Sequence, residues 1–140
     1  GLADPQAVPI AISAWQSYER DGSPEGELII AELVIFLSTS PKSNSVYTAW
    51  KNAIATAKIT GSLSPPKSIL NAPTSLMQEL GYSKNYSYDH NDIDAFSGQN
   101  CFPEQMDRVK LYYPNERGFE REINKRLLYW DKLRSKKVSE

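Results

Sequence analysis

A mainly α fold is predicted by three features of the sequence. Apolar residues recur at three- and four-residue spacing around residues 8–18, 46–57 and 119–133. Residues 4–5, 23–25 and 40–43 carry helix-start chemistry, a small polar or acidic residue beside proline. The chain has 140 residues, 24% of them charged and 40% hydrophobic, which fits one ordinary globular domain built from two small lobes.

Asp4-Pro5 predicts the first helix start, followed by Val8, Ala11, Ile12, Trp15 and Tyr18 on one face. Pro9 lies past the first turn of that helix and predicts a kink or a delayed start, and Gly22 ends the element. Ser23-Pro24-Glu25 restarts a helix, with Glu25 and Glu27 suited to its positive N-terminus. Residues 28–37 then form a ten-residue run that is apolar on all sides except at Glu32. Its length is too short to span a bilayer, and its start signal favours helix over buried strand. A helix apolar all round must be covered all round, by its own domain or by another subunit. Glu32 is either the exposed position of this helix or a buried carboxylate needing a basic partner.

Ser40-Pro41-Lys42-Ser43 breaks the chain and caps a third helix. Its apolar face is Val46, Tyr47, Trp50, Ala53, Ile54 and Ala57, and Gly61 is its terminator. Residues 63–66 read as a linker, dividing a helical lobe, 1–62, from a C-terminal lobe, 63–140. Residues 66–70 fit one helical turn, and 73–81 a short capped helix. Residues 82–113 are irregular and hold seven of the fifteen aromatics. Residues 86–88 and 109–113 alternate weakly, which allows a small two-stranded ribbon. The last helix is expected after Pro114-Asn115, with Phe119, Ile123, Leu127, Trp130 and Leu133 as its stripe and a frayed tail from Arg134.

The net charge of −1 conceals blocks: −5 over residues 1–41, +4 over 42–88, −5 over 89–107 and +5 over 108–140. A uniform nucleic-acid footprint would be basic throughout. Alternating blocks permit complementary docking between lobes or between copies, or simply mark solvated faces. The single cysteine, Cys101, excludes an internal disulfide framework and fits a reducing compartment.

Neither GxxxxGK[ST] nor GxGxxG occurs, so no nucleotide-binding or cofactor-binding residue is expected in this chain. Residues 89–94 gather three aspartates and the only histidine, His90. Their spacing fits no calcium loop and no zinc site, and a turn with Asp and Asn side chains bonded to nearby amides is expected. No metal-binding or catalytic residue is assigned there. Cys101 with His90 lacks the orienting group and oxyanion site of a thiol nucleophile. Lys84, Tyr86, Tyr88, Arg108 and Lys110 are candidate nucleic-acid contacts, since rings can stack on bases while cations follow the backbone. The alternative is that the rings anchor the irregular segment.

Several ordered stretches resemble the C-terminal region of the MgsA/RarA family, the replication-associated recombination AAA+ ATPases that include the Werner-helicase-interacting protein. Residues 1–7 resemble the junction after the ATPase core and lid. Residues 36–47, with Ser40-Pro41-Lys42-Ser43-Asn44, resemble the family's "APKSN…Y" stretch, and residues 71–82 resemble its "NAPTxLMKxLGYG" segment. Residues 86–90, Gln99 with Pro103, Tyr112-Tyr113-Pro114 and Gly118-Phe119-Glu120 continue in order. Ser83 and Asn85 stand where the family often has glycine, Asp89 where a small residue is common, and Cys101 where an aromatic is frequent.

The resemblance implies a helical oligomerisation domain following an ATPase module, similar to the collar of clamp-loader subunits. It implies a homo-oligomer, with a tetramer as the family assembly. ATP and Mg would be held upstream, by an ATPase module that carries the catalysis. Single-stranded DNA-binding protein and DNA would be partners of the parent, in the cytoplasm and at the nucleoid of a bacterium. The absent initiator methionine and the absent nucleotide motif agree with an excised C-terminal part of a longer ATPase. From pattern alone, the candidate interface residues are Leu28, Ile30, Val34 and Leu37 on the second helix, then Phe119, Ile123, Leu127 and Trp130 on the last.

Overall fold

The computed structural model describes residues 1–92 and 94–138. It contains helices α1 (Ala7–Asp21), α2 (Glu25–Thr39), α3 (Ser45–Thr60), α4 (Ser75–Glu79) and α5 (Glu120–Val138). Single 3-10 turns occupy Lys67–Ile69 and Asp89–Asn91. The chain forms two compact units. The first comprises Gly1–Lys51 and Tyr112–Lys125; the second comprises Asn52–Leu111 and the described chain from Arg126. None of the described helices is long and apolar enough to cross a membrane.

In the first unit, Asp4 and Pro5 form a turn rather than the helix start itself. The Asp4 side chain accepts the Gln6 amide at 3.1 Å, and α1 begins only at Ala7. Pro9 is then the third helical residue, where no preceding carbonyl waits for its missing N–H. Of the two outcomes expected of Pro9 the structure shows the delayed start, and α1 then runs from Ala7 to Asp21. Gly22 stops it with φ 65° while its amide bonds to the Tyr18 carbonyl at 2.9 Å. Gly26 lets α2 approach α1 closely: a β-carbon there would lie 2.7 Å from the Tyr18 ring. α1 and α2 pack on each other along their length.

The last helix begins later than the Pro114-Asn115 signal predicts. Residues 115–119 first make a tight turn in which Gly118 adopts φ 51°. The Phe119 amide then donates to the Ala3 carbonyl at 2.9 Å. A side chain at Gly118 would collide with that same carbonyl oxygen, so the backbone is committed to this contact before helix can start.

In the second unit, Thr74 caps α4 by accepting the Met77 amide at 3.3 Å. Ser83 and Asn85 both adopt left-handed conformations, φ 58° and 62°. This is the backbone that glycine would supply without cost. Ser83 is held there by its amide on the Lys67 carbonyl (2.9 Å) and its hydroxyl on the Leu70 carbonyl (2.7 Å). No strand forms among the described residues, so the expected ribbon is not present. The Ser87 amide, which a ladder would use, goes to the Gln99 side chain at 3.3 Å, and the Asn85 carbonyl accepts from that same amide side chain. The expected fraying from Arg134 is also absent: α5 stays helical to Val138. Lys137 pairs with Asp92, and the Arg134 guanidinium lies over the Phe96 ring at 5.3 Å.

Candidate assembly interface

Among the described residues, the buried hydrophobic side chains are Ala3, Ala14 and Leu133 alone. The helices instead leave large apolar side chains in water. On α2, Leu28, Ile30, Val34 and Leu37 are all exposed, while Ile29, Leu33 and Phe36 are half-buried. On α1, Val8, Ile12 and Trp15 are exposed, Trp15 to 66%. Ala11, Ile12, Trp15, Gln16 and Glu19 line a shallow groove of about 500 Å³. On α3, Val46, Tyr47, Trp50 and Ile54 are exposed, Trp50 to 65%.

The candidates on the last helix divide. Phe119 and Trp130 are exposed, Ile123 and Leu127 are half-buried, and Leu133 at the end of the stripe is buried. Leu128 and Tyr129, outside the stripe, are exposed as well. Sequence reasoning singled out α2 and α5 but not the outward faces of α1 and α3. An amphipathic helix carries the same pattern whether its apolar face meets its own core or another chain.

The framework beneath these faces is a buried carboxylate. Glu120, at the first position of α5, is fully buried. It accepts the Ser45 hydroxyl, the Tyr112 hydroxyl at 2.7 Å and the Asn115 amide at 3.3 Å. Asn115 also donates its side-chain amide to Ser43 at 2.8 Å. Residues quoted from two distant motifs, 42–45 and 112–120, thus close on one another. Burial alone would raise the Glu120 carboxyl, but the hydroxyls of Ser43, Ser45 and Tyr112 and the Asn115 amide outweigh it and hold it below its ordinary value. Burial and the Glu120 hydrogen bond push the Tyr112 phenol up to about 12. Every polar atom there is satisfied within the chain, so the cluster braces the fold and is not shaped as a reactive site.

Glu32, the one interruption of the apolar run, is exposed. The candidate nucleic-acid contacts Lys84, Tyr86, Tyr88, Arg108 and Lys110 are all exposed, with the rings of Tyr86 and Tyr88 more than half so. Lys84 lines a concavity of about 490 Å³ with Lys67, Asn85, Asn100 and Phe102. Asp89 accepts the Ser97 amide at 2.7 Å, and the Ser97 bonds hold its carboxyl below the ordinary value. This is the turn chemistry expected of residues 89–94, of which Ile93 lies outside the described residues. Among the described residues, no three His, Cys, Asp or Glu side chains are grouped to hold a metal. Cys101 is exposed.

Comparison with known proteins agrees with this architecture. The family described as MgsA AAA+ ATPase C terminal matches residues 1–131. Replication-associated recombination protein A of Coxiella burnetii is 44% identical over 134 residues, which is 95% of this chain and 30% of that protein. The protein of the same name from Bacillus subtilis is 36% identical over 138 residues, 98% of this chain and 32% of that protein. ATPase WRNIP1 of Dictyostelium discoideum is 31% identical over 124 residues, 86% of this chain and 13% of that protein. The chain therefore spans about a third or less of the length of these relatives. With a match across nearly all of its residues and a helical fold to carry it, this chain belongs to the family of MgsA AAA+ ATPase C-terminal domains.

Proposed function

We propose that this chain is the oligomerisation domain of an AAA+ ATPase that maintains replication forks and acts in recombination. It joins ATPase subunits by burying apolar helix surface between copies, with a tetramer as the assembly. The observation that carries this reading is the uncovered apolar surface of α1, α2 and α3, three successive helices with almost no fully buried hydrophobic side chain of their own. Large apolar side chains left exposed in such number are what a docking face presents. An obligate interface buries roughly 2,000 Å² or more. With ~65% of it apolar and about 25 cal/mol per Å², the gross driving force is roughly 30 kcal/mol, well above the ~4–15 kcal/mol that association costs.

In this reading, phosphate chemistry belongs to an upstream module that binds ATP and Mg. The partners are further copies of the chain, that ATPase module, single-stranded DNA-binding protein and DNA. The protein works in the cytoplasm, at the nucleoid. Replacing Ile30 or Val34 with aspartate is expected to lower the assembled mass by light scattering while the helical circular dichroism persists. An unchanged mass in both variants would remove α2 from the interface.

A second reading is supported by the exposure of Tyr86 and Tyr88 near Lys84: a nucleic-acid or protein contact made by residues 82–113. Salt-dependent binding of single-stranded DNA that is lost in the Tyr86→Ala, Tyr88→Ala double variant would favour it.

A further inference from the structure

The exposed faces of α2 and α3 carry matching patterns of opposite charge. On α2, Glu25, Leu28, Glu32 and Ile35 follow at spacings of three, four and three residues, which places them along one helix face. On α3, Tyr47, Lys51, Ile54 and Lys58 follow at spacings of four, three and four, again along one face. All eight side chains are exposed. The apolar members are open to solvent by 73% (Leu28), 66% (Ile35), 63% (Tyr47) and 39% (Ile54).

Neither stripe is covered among the described residues. α1 packs on α2, and α5 meets α3 at Ser45, the first residue of α3 and not a member of the stripe. None of the four charged residues belongs to an ion pair among the described residues. The Lys51 amine instead lies 5.4 Å from the centre of the Tyr47 ring.

The spacings favour the antiparallel direction, which matches four positions where the parallel one matches three. Glu25 to Glu32 is a step of seven residues, and so is Lys51 to Lys58. At ~1.5 Å per residue each pair is about 10 Å apart along its helix. Laid antiparallel, Glu25 faces Lys58, Leu28 faces Ile54, Glu32 faces Lys51 and Ile35 faces Tyr47. Laid parallel with Glu25 on Lys51, Leu28 faces Ile54 and Glu32 faces Lys58, but Ile35 and Tyr47 are left without an apolar partner.

We propose that α2 of one copy docks antiparallel on α3 of a second copy, through two apolar contacts and the ion pairs Glu25–Lys58 and Glu32–Lys51. This rests on the assembly role proposed above and assigns its contact. The occupant is a second copy because the acidic and the basic stripe lie on the same chain with complementary charge. A two-fold axis then makes the contact twice, α3 of the first copy receiving α2 of the second.

Charge reversal in the full chain tests the pairing. One protein carries Glu25→Lys with Glu32→Lys, the other Lys51→Glu with Lys58→Glu. Each alone is expected to need roughly tenfold or more protein for half-assembly, because like charges now face one another. An equimolar mixture is expected to regain the wild-type mass, since every basic stripe again meets an acidic one. Far-UV circular dichroism checks that both proteins stay helical. Wild-type assembly by either reversed protein alone, or no recovery on mixing while the wild type assembles, overturns the pairing and leaves the assembly role standing. A wild-type chain that stays at protomer mass overturns both.

Discussion

The hydroxyl of Tyr112 donates to the buried carboxylate of Glu120 across 2.7 Å. Together with the Ser45 hydroxyl and the Asn115 amide, it lets an anion sit in the first unit without a cationic partner. Three hydrogen-bonding groups replace the water that burial removes. The cluster ties the first residue of α3 and the segment entering α5 to the start of α5.

Glu120→Ala removes the acceptor and leaves the Ser45 and Tyr112 hydroxyls and the Asn115 amide without their partner. A loss of about 3 kcal/mol or more is expected in urea denaturation, at ~1–3 kcal/mol per unsatisfied buried group. The wild type also carries an acid signature. Because the folded Glu120 carboxyl titrates below its unfolded value, its stabilisation is complete above the unfolded pKa near 4.5 and is lost as pH falls through the folded one. Glu120→Gln is expected to flatten that part of the acid titration.

Tyr112→Phe tests the same contact from the other end. It is expected to cost about 1.5–3 kcal/mol at neutral pH, the worth of a hydrogen bond to a charged group. The phenol is held protonated up to about 12 in the folded chain against 10.0 in the unfolded one. Its stabilisation is therefore complete below pH 10 and falls between pH 10 and about 12. The phenylalanine variant is expected to lose that alkaline slope, read as the midpoint of denaturation against pH.

Gly118→Ala places a β-carbon against the Ala3 carbonyl oxygen and forces φ 51° on an L residue. The turn has no room to open, because the same carbonyl accepts the Phe119 amide. A loss of roughly 2–4 kcal/mol is expected, combining backbone strain with overpacking. A change under ~0.5 kcal/mol would contradict the tightness of this turn.

Asp92→Asn removes the carboxylate that holds Lys137. The pair is partly exposed, so global stability is expected to move by under ~1 kcal/mol. The local effect is larger: amide hydrogen exchange over residues 134–138 is expected to accelerate, while exchange over residues 121–130 stays as in the wild type.

Much of the helical order was legible because capping and periodicity are local. Thr74 caps α4 and Gly22 ends α1 as their residue types imply. The delayed start of α1 at Ala7 is one of the two outcomes that Pro9 implies. Where distant contacts decide, local pattern falls short. The start of α5 is set by Ala3 and Gly118, more than a hundred residues apart in sequence, and the order of its last turn by Asp92 and Phe96. The ribbon failed because Gln99 took the backbone groups it needed. Ser83 and Asn85, noted as departures from glycine, do hold glycine-like backbone. For the interface, the apolar run on α2 stood out, whereas α1 and α3 gave no signal separating a face turned outward from one turned to a core. The network around Glu120 was carried by residues quoted from the family motifs, but its geometry needed the fold.

Helices uncovered in a single copy should be covered in an assembly, and the mass of the chain by sedimentation or light scattering, across a concentration series from nanomolar to high micromolar, tests this. The mass is expected to climb from one protomer to a defined multiple, with a midpoint that shifts upward in Val34→Asp. A single-protomer mass at every concentration, with the helical spectrum intact, would contradict it.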